Sequence, residues 1–232
     1  MEEINLELTP RSEGTIERSN NSVIKFESNE ILDHFRENVE AIKAQFIVAD
    51  ELVAAGRKEE AENVWRSQII FLDSAFDFYL HELTKYGLCE IFTENWARTD
   101  KYNNIQMKME DIHEGFNLSG SVEWFLEFIN NYYKEITMAS FDSVKKQMSL
   151  LGIDIAEVSR TAFYERGSGE KPQSKLKRRL NELYARRNKI AHQSDREHTD
   201  ASKREISKDI VLSFVSDIEK IVNGINEEVI RK

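Results

Sequence analysis

The stretch Leu180-Asn181-Glu182-Leu183-Tyr184-Ala185-Arg186-Arg187-Asn188-Lys189-Ile190-Ala191-His192 gathers the side chains best suited to chemistry. Its apolar positions Leu176, Leu180, Leu183 and Ile190 follow a helical 4, 3, 7 spacing, and position 187 is the missing member of the series. An arginine stands there. At about 100° per residue, Arg187 points into the middle of the apolar stripe, beside Leu183, Tyr184, Ile190 and Ala191. A desolvated guanidinium needs a counter-charge or water, so Arg187 must meet a carboxylate, a phosphate or a wet cleft. The carboxylate case is a structural ion pair that holds two helices in register. Asp73, at the edge of another apolar stripe beside Ile69 and Phe76, is the expected partner of Arg187, with Asp77 nearby. Truncating Asp73 is then expected to destabilise by roughly 3 kcal/mol or more, the scale for stranding a buried charge.

His192 lies five residues on, about 140° around an ideal helix, on the polar side with Asn181 and Asn188. Asn188 precedes it by four residues, so its amide can reach the imidazole and set the tautomer. A histidine near a helix C-terminus is also favoured there by the helix dipole alone. Arg187 and His192 share one site only if the helix unwinds near residue 191 or a second subunit closes the gap. The run Gln193-Ser194-Asp195 is compatible with such an ending.

Arg187-Asn188-Lys189-Ile190-Ala191-His192, late in a helical chain and followed by one long amphipathic helix, resembles the R-x4-6-H signature of HEPN domains. The resemblance is closest to the bacterial RiboL-PSP and MAE-type groups. It is specific over about 175 to 230 and extends in helix pattern alone from about 30 to 165. It implies a helical bundle that forms a homodimer with its two motifs facing each other. In active members it implies a metal-independent endoribonuclease, a hydrolase with RNA as its partner and no cofactor. Toxins paired with an antitoxin and antiviral, phage-defence effectors are the roles expected of such an enzyme. Metal-free RNA cleavage needs a base for the 2′-hydroxyl, an acid for the leaving 5′-oxygen and positive charge for the phosphorane. One motif holds a single histidine and one strong cation, whereas two across a two-fold axis hold two of each. Arg187 is thus expected to carry phosphate charge, His192 to transfer protons and Asn188 to orient. Lys175, Arg178, Arg179, Arg186 and Lys189 are expected to gather backbone phosphates in RNA binding. The alternative is a noncatalytic helical module that pairs with a toxin, a nucleotidyltransferase or another effector protein, with Arg187 as a structural ion pair.

The elements that must position these residues are legible in the composition. In 232 residues there are 9 Gly and 2 Pro, while charged residues reach 32%, a balance that predicts an all-α chain. Net charge is −10, yet between Lys171 and Arg204 eleven Lys or Arg face four Asp or Glu. That local +7 is a candidate polyanion contact on an acidic molecule. No apolar run approaches the roughly 20 residues needed to cross a bilayer, and Met1-Glu2-Glu3 is no basic leader, so no membrane contact and a cytoplasmic location are expected. A single Cys89 fits a reducing compartment. His34, His81, His113 and His198 lack partners at ligand spacing, so no metal is expected, and Gly167-Ser168-Gly169 lacks the lysine of a phosphate loop.

Residues 1–28 read as a flexible N-terminal arm with a short strand over Val23 to Phe26, and 29–232 as one HEPN-like helical domain. Helices are expected over about 30–55, 58–86 (stopped by Gly87), 88–97, 122–138, 140–151, 154–164, 172–192 and 202–230. In the second, Trp65, Ile69, Leu72, Phe76, Tyr79 and Leu83 form the core stripe. In the last, Val211, Phe214, Ile218, Ile221 and Ile225 make either bundle core or a short dimer seam.

Overall fold

Glu30 reaches back to the amide of Glu27 at 2.8 Å, closing a capping box that starts the first helix. In the computed structural model, which describes residues 23–118, 120–167 and 169–232, this helix α1 spans Ser28–Ala54. Residues 1–22 of the expected arm lie outside the described residues. Val23 to Phe26 belong to no strand, and the described residues hold only one isolated antiparallel bridge, Arg196 to Lys203. Left-handed Gly56 turns the chain into α2, Lys58–Phe92, which packs along α1.

The expected stop at Gly87 does not occur. A β-carbon there would lie 2.7 Å from Trp96 and 2.8 Å from Leu151, so the glycine serves close approach, and α2 continues to Phe92, into the first half of the segment expected as a separate helix. Two short helices, α3 (Asp100–Asn103) and α4 (Met109–Asn117), form in the stretch between the helices expected over 88–97 and 122–138. Helix α5, Val122–Tyr133, ends five residues early for a tertiary reason. The Asp77 carboxylate accepts hydrogen bonds from the amides of Met138 and Ala139 at 2.5 and 3.1 Å, and His81 Nε2 lies 2.8 Å from the carbonyl of Ile136. These contacts hold 136–139 as irregular chain against α2. Then come α6 (Phe141–Leu151), α7 (Ile155–Phe163), α8 (Pro172–Gln193) and α9 (Lys208–Ile230). Helix α9 starts six residues later than expected, capped by Ser207, because the chain between α8 and α9 folds as an irregular turn.

The protein is therefore all-α. Trp65, Ile69, Leu72 and Phe76 of α2, Leu180 and Leu183 of α8, and Phe214 and Ile218 of α9 are buried in one apolar cluster. Val211, Ile221 and Ile225 join them, so the stripe of α9 is bundle core rather than a dimer seam. Among the described residues no helix is long and apolar enough to cross a membrane. The close approach at Gly87 is testable: Gly87→Val should destabilise the fold by about 2 kcal/mol or more in urea unfolding, the overpacking scale. A neutral or stabilising effect would mean that Trp96 and Leu151 yield freely.

Candidate functional site

Pro172 occupies the first turn of α8, where no amide donor is needed, and the helix buries little more than Leu176, Leu180 and Leu183. Beyond Leu183 it climbs out of the bundle: Ile190 is half-buried, and Ala191 and His192 are exposed. Helix α8 runs antiparallel to α2, and two ion pairs join them.

The first pair contains Arg187. Its Nε lies 3.1 Å from Asp73 Oδ2, and its Nη1 donates to Asn188 Oδ1 at 2.9 Å. Asp73 is 1% exposed, and neither of its oxygens accepts an aligned hydrogen bond. The contact is thus a charge pair rather than a fork, which leaves the carboxylate poorly compensated. Burial pushes the Asp73 carboxyl up to about 6, against the pull of Arg187 and with a further push from Asp77. Arg187 meets the expected carboxylate, but its side chain is 30% exposed, so the guanidinium lies at the edge of the buried stripe rather than in its middle. Removing Asp73 would leave Arg187 in contact with water, so the expected penalty for a stranded charge does not apply.

Asn188 does not orient the imidazole. Its carbonyl oxygen is engaged by Arg187, which makes Asn188 a holder of the guanidinium. Among the described residues His192 has no hydrogen bond or ion pair, and it stands exposed in the last turn of α8. The helix does not unwind near residue 191 but continues through Gln193, so Arg187 and His192 stay about 140° apart. Within one protomer they do not converge.

The second pair was invisible in the local pattern. Asp195, wholly buried, accepts Arg66 Nε at 2.9 Å and Arg186 Nη2 at 2.8 Å on the same oxygen, Oδ2. Arg66 also donates to the carbonyl of Arg204, and Arg186 to that of Glu205, both through Nη2. Desolvation, outweighing Asp195, draws the Arg186 pKa below its ordinary value. One signal pointed here: Arg66 lies seven residues before Asp73, on the same edge of the α2 stripe, so it too demanded an acid.

The expected phosphate-gathering residues are largely engaged elsewhere. Arg186 serves Asp195, and Arg179 pairs with Asp217 of α9 and with Glu182. Arg178 pairs with Glu170 and Glu182, and the Lys175 ammonium sits 5.4 Å from the centre of the Phe163 ring. Lys189, half-buried, has no ion pair among the described residues. No cluster of potential metal ligands occurs among the described residues.

On a face of α2 turned away from Asp73, α1 and α2 leave a groove of about 450 Å³ lined by Ile42, Phe71, Ala75 and Phe78. Phe71 and Phe78 remain 49% and 42% exposed. No family model, curated protein or solved structure matches the chain.

The raised Asp73 carboxyl sets a pH dependence. Its folded pKa, about 6, exceeds the ordinary aspartate value of 3.8, so the fold binds this proton more tightly than the unfolded chain does. Stability from this group is full below pH 4 and is lost as pH rises through 6. Asp73→Asn, which cannot ionise, should therefore be more stable than wild type at pH 7.5, by an amount on the order of 2–3 kcal/mol. The gap should close as pH falls from 6 to 4 in paired urea melts. A variant weaker than wild type at pH 7.5 would show that the Arg187 contact outweighs the burial of the charge.

Proposed function

We propose that this protein is a metal-independent endoribonuclease whose site is assembled from two Arg187–His192 motifs across the two-fold axis of a homodimer. The observation that carries this reading is the division of labour on α8. Each protomer presents one half-exposed guanidinium held by Asp73 and Asn188, and one exposed imidazole with no partner among the described residues, on an unbroken helix that keeps them apart. A second copy supplies what the first lacks.

In the proposed reaction one His192 takes the proton of an RNA 2′-hydroxyl, whose oxygen attacks the adjacent phosphorus. The second His192 gives a proton to the departing 5′-oxygen. The Arg187 guanidinium meets the charge that grows on the phosphorane oxygens, and its contacts to Asp73 and Asn188 hold it ready without reorganisation. The products are a 2′,3′-cyclic phosphate and a 5′-hydroxyl. Lys189 and Lys175 are the cations left to approach the RNA backbone. Such an enzyme fits a cytoplasmic toxin or phage-defence effector that a partner protein holds in check.

A second reading has its own support. The Arg187–Asp73 contact is what a noncatalytic helical module needs to hold two helices in register, and a net charge of −10 suits a basic protein partner. Activity separates the two. The purified protein, free of any partner, should cut RNA in EDTA, should fail on RNA with a blocked 2′-hydroxyl, and should leave the cyclic phosphate. His192→Ala should lose about 10² to 10⁴ in rate while keeping its helicity and its mass in solution. Absent cleavage by wild type, or cleavage that survives His192→Ala, favours the binding module.

Association is checked separately. Light scattering should give twice 27.1 kDa at micromolar concentration. A monomeric wild type that still cuts would refute the composite site.

A further inference from the structure

We propose that Asp195 is the positioning residue for His192, acting through Arg66 and Arg186 as a clasp that fixes where α8 ends. For its catalytic consequence the inference rests on the ribonuclease reading; for its structural content it does not.

Helix α8 ends in an unusual way. Ser194 and Asp195 take φ values of +51° and +59°, the left-handed region that glycine normally occupies, and neither is glycine. The amides of both residues bond to the carbonyl of Lys189, Asp195 at 3.0 Å, which closes the turn that carries His192. Two consecutive left-handed residues with side chains persist only where the surroundings over-determine them. The clasp does so here. The Asp195 carboxylate, with no exposure to solvent, is gripped from α2 by Arg66, itself 6% exposed, and from α8 by Arg186. The Asp195 carbonyl also accepts the amide of Arg204 at 2.9 Å, so the returning chain is tied to the same point.

The placement on the two helices gives this arrangement a purpose beyond cohesion. Arg66 and Asp73 are seven residues apart on α2, and their partners Asp195 and Arg187 are eight apart at the end of α8. His192 stands between the two ties. An exposed last turn would ordinarily fray, and a fraying turn cannot hold an imidazole in one place. With both ties made, the His192 backbone is fixed to the longest of the described helices although its side chain makes no hydrogen bond or ion pair among the described residues. A displacement of about 1 Å in a reacting group is enough to lose on the order of 10² in rate.

The test uses Arg66→Met and Asp195→Asn, with Arg66→Lys as the conservative variant and Lys43→Met as the control. Lys43→Met breaks a different interhelical ion pair, between α1 and α9. Hydrogen exchange reads the clasp without any activity. The Asp195 amide should be protected in wild type and in Lys43→Met, should lose at least tenfold in protection in Arg66→Met and Asp195→Asn, and should recover in part in Arg66→Lys, while amides of α2 and α9 keep their protection. Steady-state cleavage of a short RNA reads positioning. The kcat should fall about 10²-fold in Arg66→Met with KM within twofold, and the control should match wild type.

If wild type cuts no RNA but Arg66→Met releases the end of α8, the ribonuclease reading falls and the clasp stands. If the end of α8 stays protected in both clasp variants, or frays with kcat unchanged, positioning by Asp195 is refuted. Should Asp195→Asn fail to fold, Arg66→Lys and Arg66→Met decide the outcome between them.

Discussion

Helix α8 is a polar helix held in the bundle by three leucines and tied to α2 by two ion pairs, and the rest of the site depends on the register this sets. Leu176, Leu180 and Leu183 supply the attraction, but apolar contact is non-directional and would tolerate a slide. Charge pairs do not, because a shift of one residue would strand Asp73 or Asp195 in the interior. Both acids are buried, and both have an oxygen without a hydrogen bond, so the pairs contribute specificity more than stability. Their value lies in placing residues 187 to 192 against a rigid 35-residue helix.

That register explains why two motif residues differ so much in surroundings. Arg187 arrives where the helix leaves the bundle, and it can keep one edge on Asp73 while the remainder meets solvent. His192 arrives a turn later, past the edge of the core, and meets no partner among the described residues. A guanidinium that is half in and half out suits a phosphate ligand, since it retains its charge and its free donors. The same half-burial leaves the Asp73 carboxyl raised by its own desolvation, because water reaches the cation and not the anion.

The electrostatic character of the folded chain also differs from that of the linear one. Eleven cations between residues 171 and 204 suggest a basic face. In the fold, Arg179, Arg186 and Arg187 turn inward to Asp217, Asp195 and Asp73, and Arg178 is bracketed by Glu170 and Glu182. Much of the local excess is cancelled by acids from α2, from α9 and from the turn after α8. Whatever docks on this surface meets a few discrete cations rather than a continuous positive field, so recognition leans on geometry and less on charge density.

The sequence by itself determined the helical class, because low glycine and proline content and 3-4 apolar spacing are local and periodic. It placed the core stripes of α2, α8 and α9, since a stripe that wide has to be buried whatever covers it. It also singled out Arg187, since a cation in an apolar series needs an explanation, and Asp73 as the acid at the right edge of another stripe. Tertiary structure decided the rest, for reasons that a helical wheel does not contain. Gly87 reads as a stop until Trp96 and Leu151 are seen filling its missing side chain. Helix α5 ends early because Asp77 and His81, some sixty residues earlier, capture the following backbone. Asp195 looked like part of a loose ending, yet Arg66, 129 residues away, makes it the most buried charge near the motif. Periodicity reports which side of an element is buried; which distant group meets it there is settled only when the chain closes on itself.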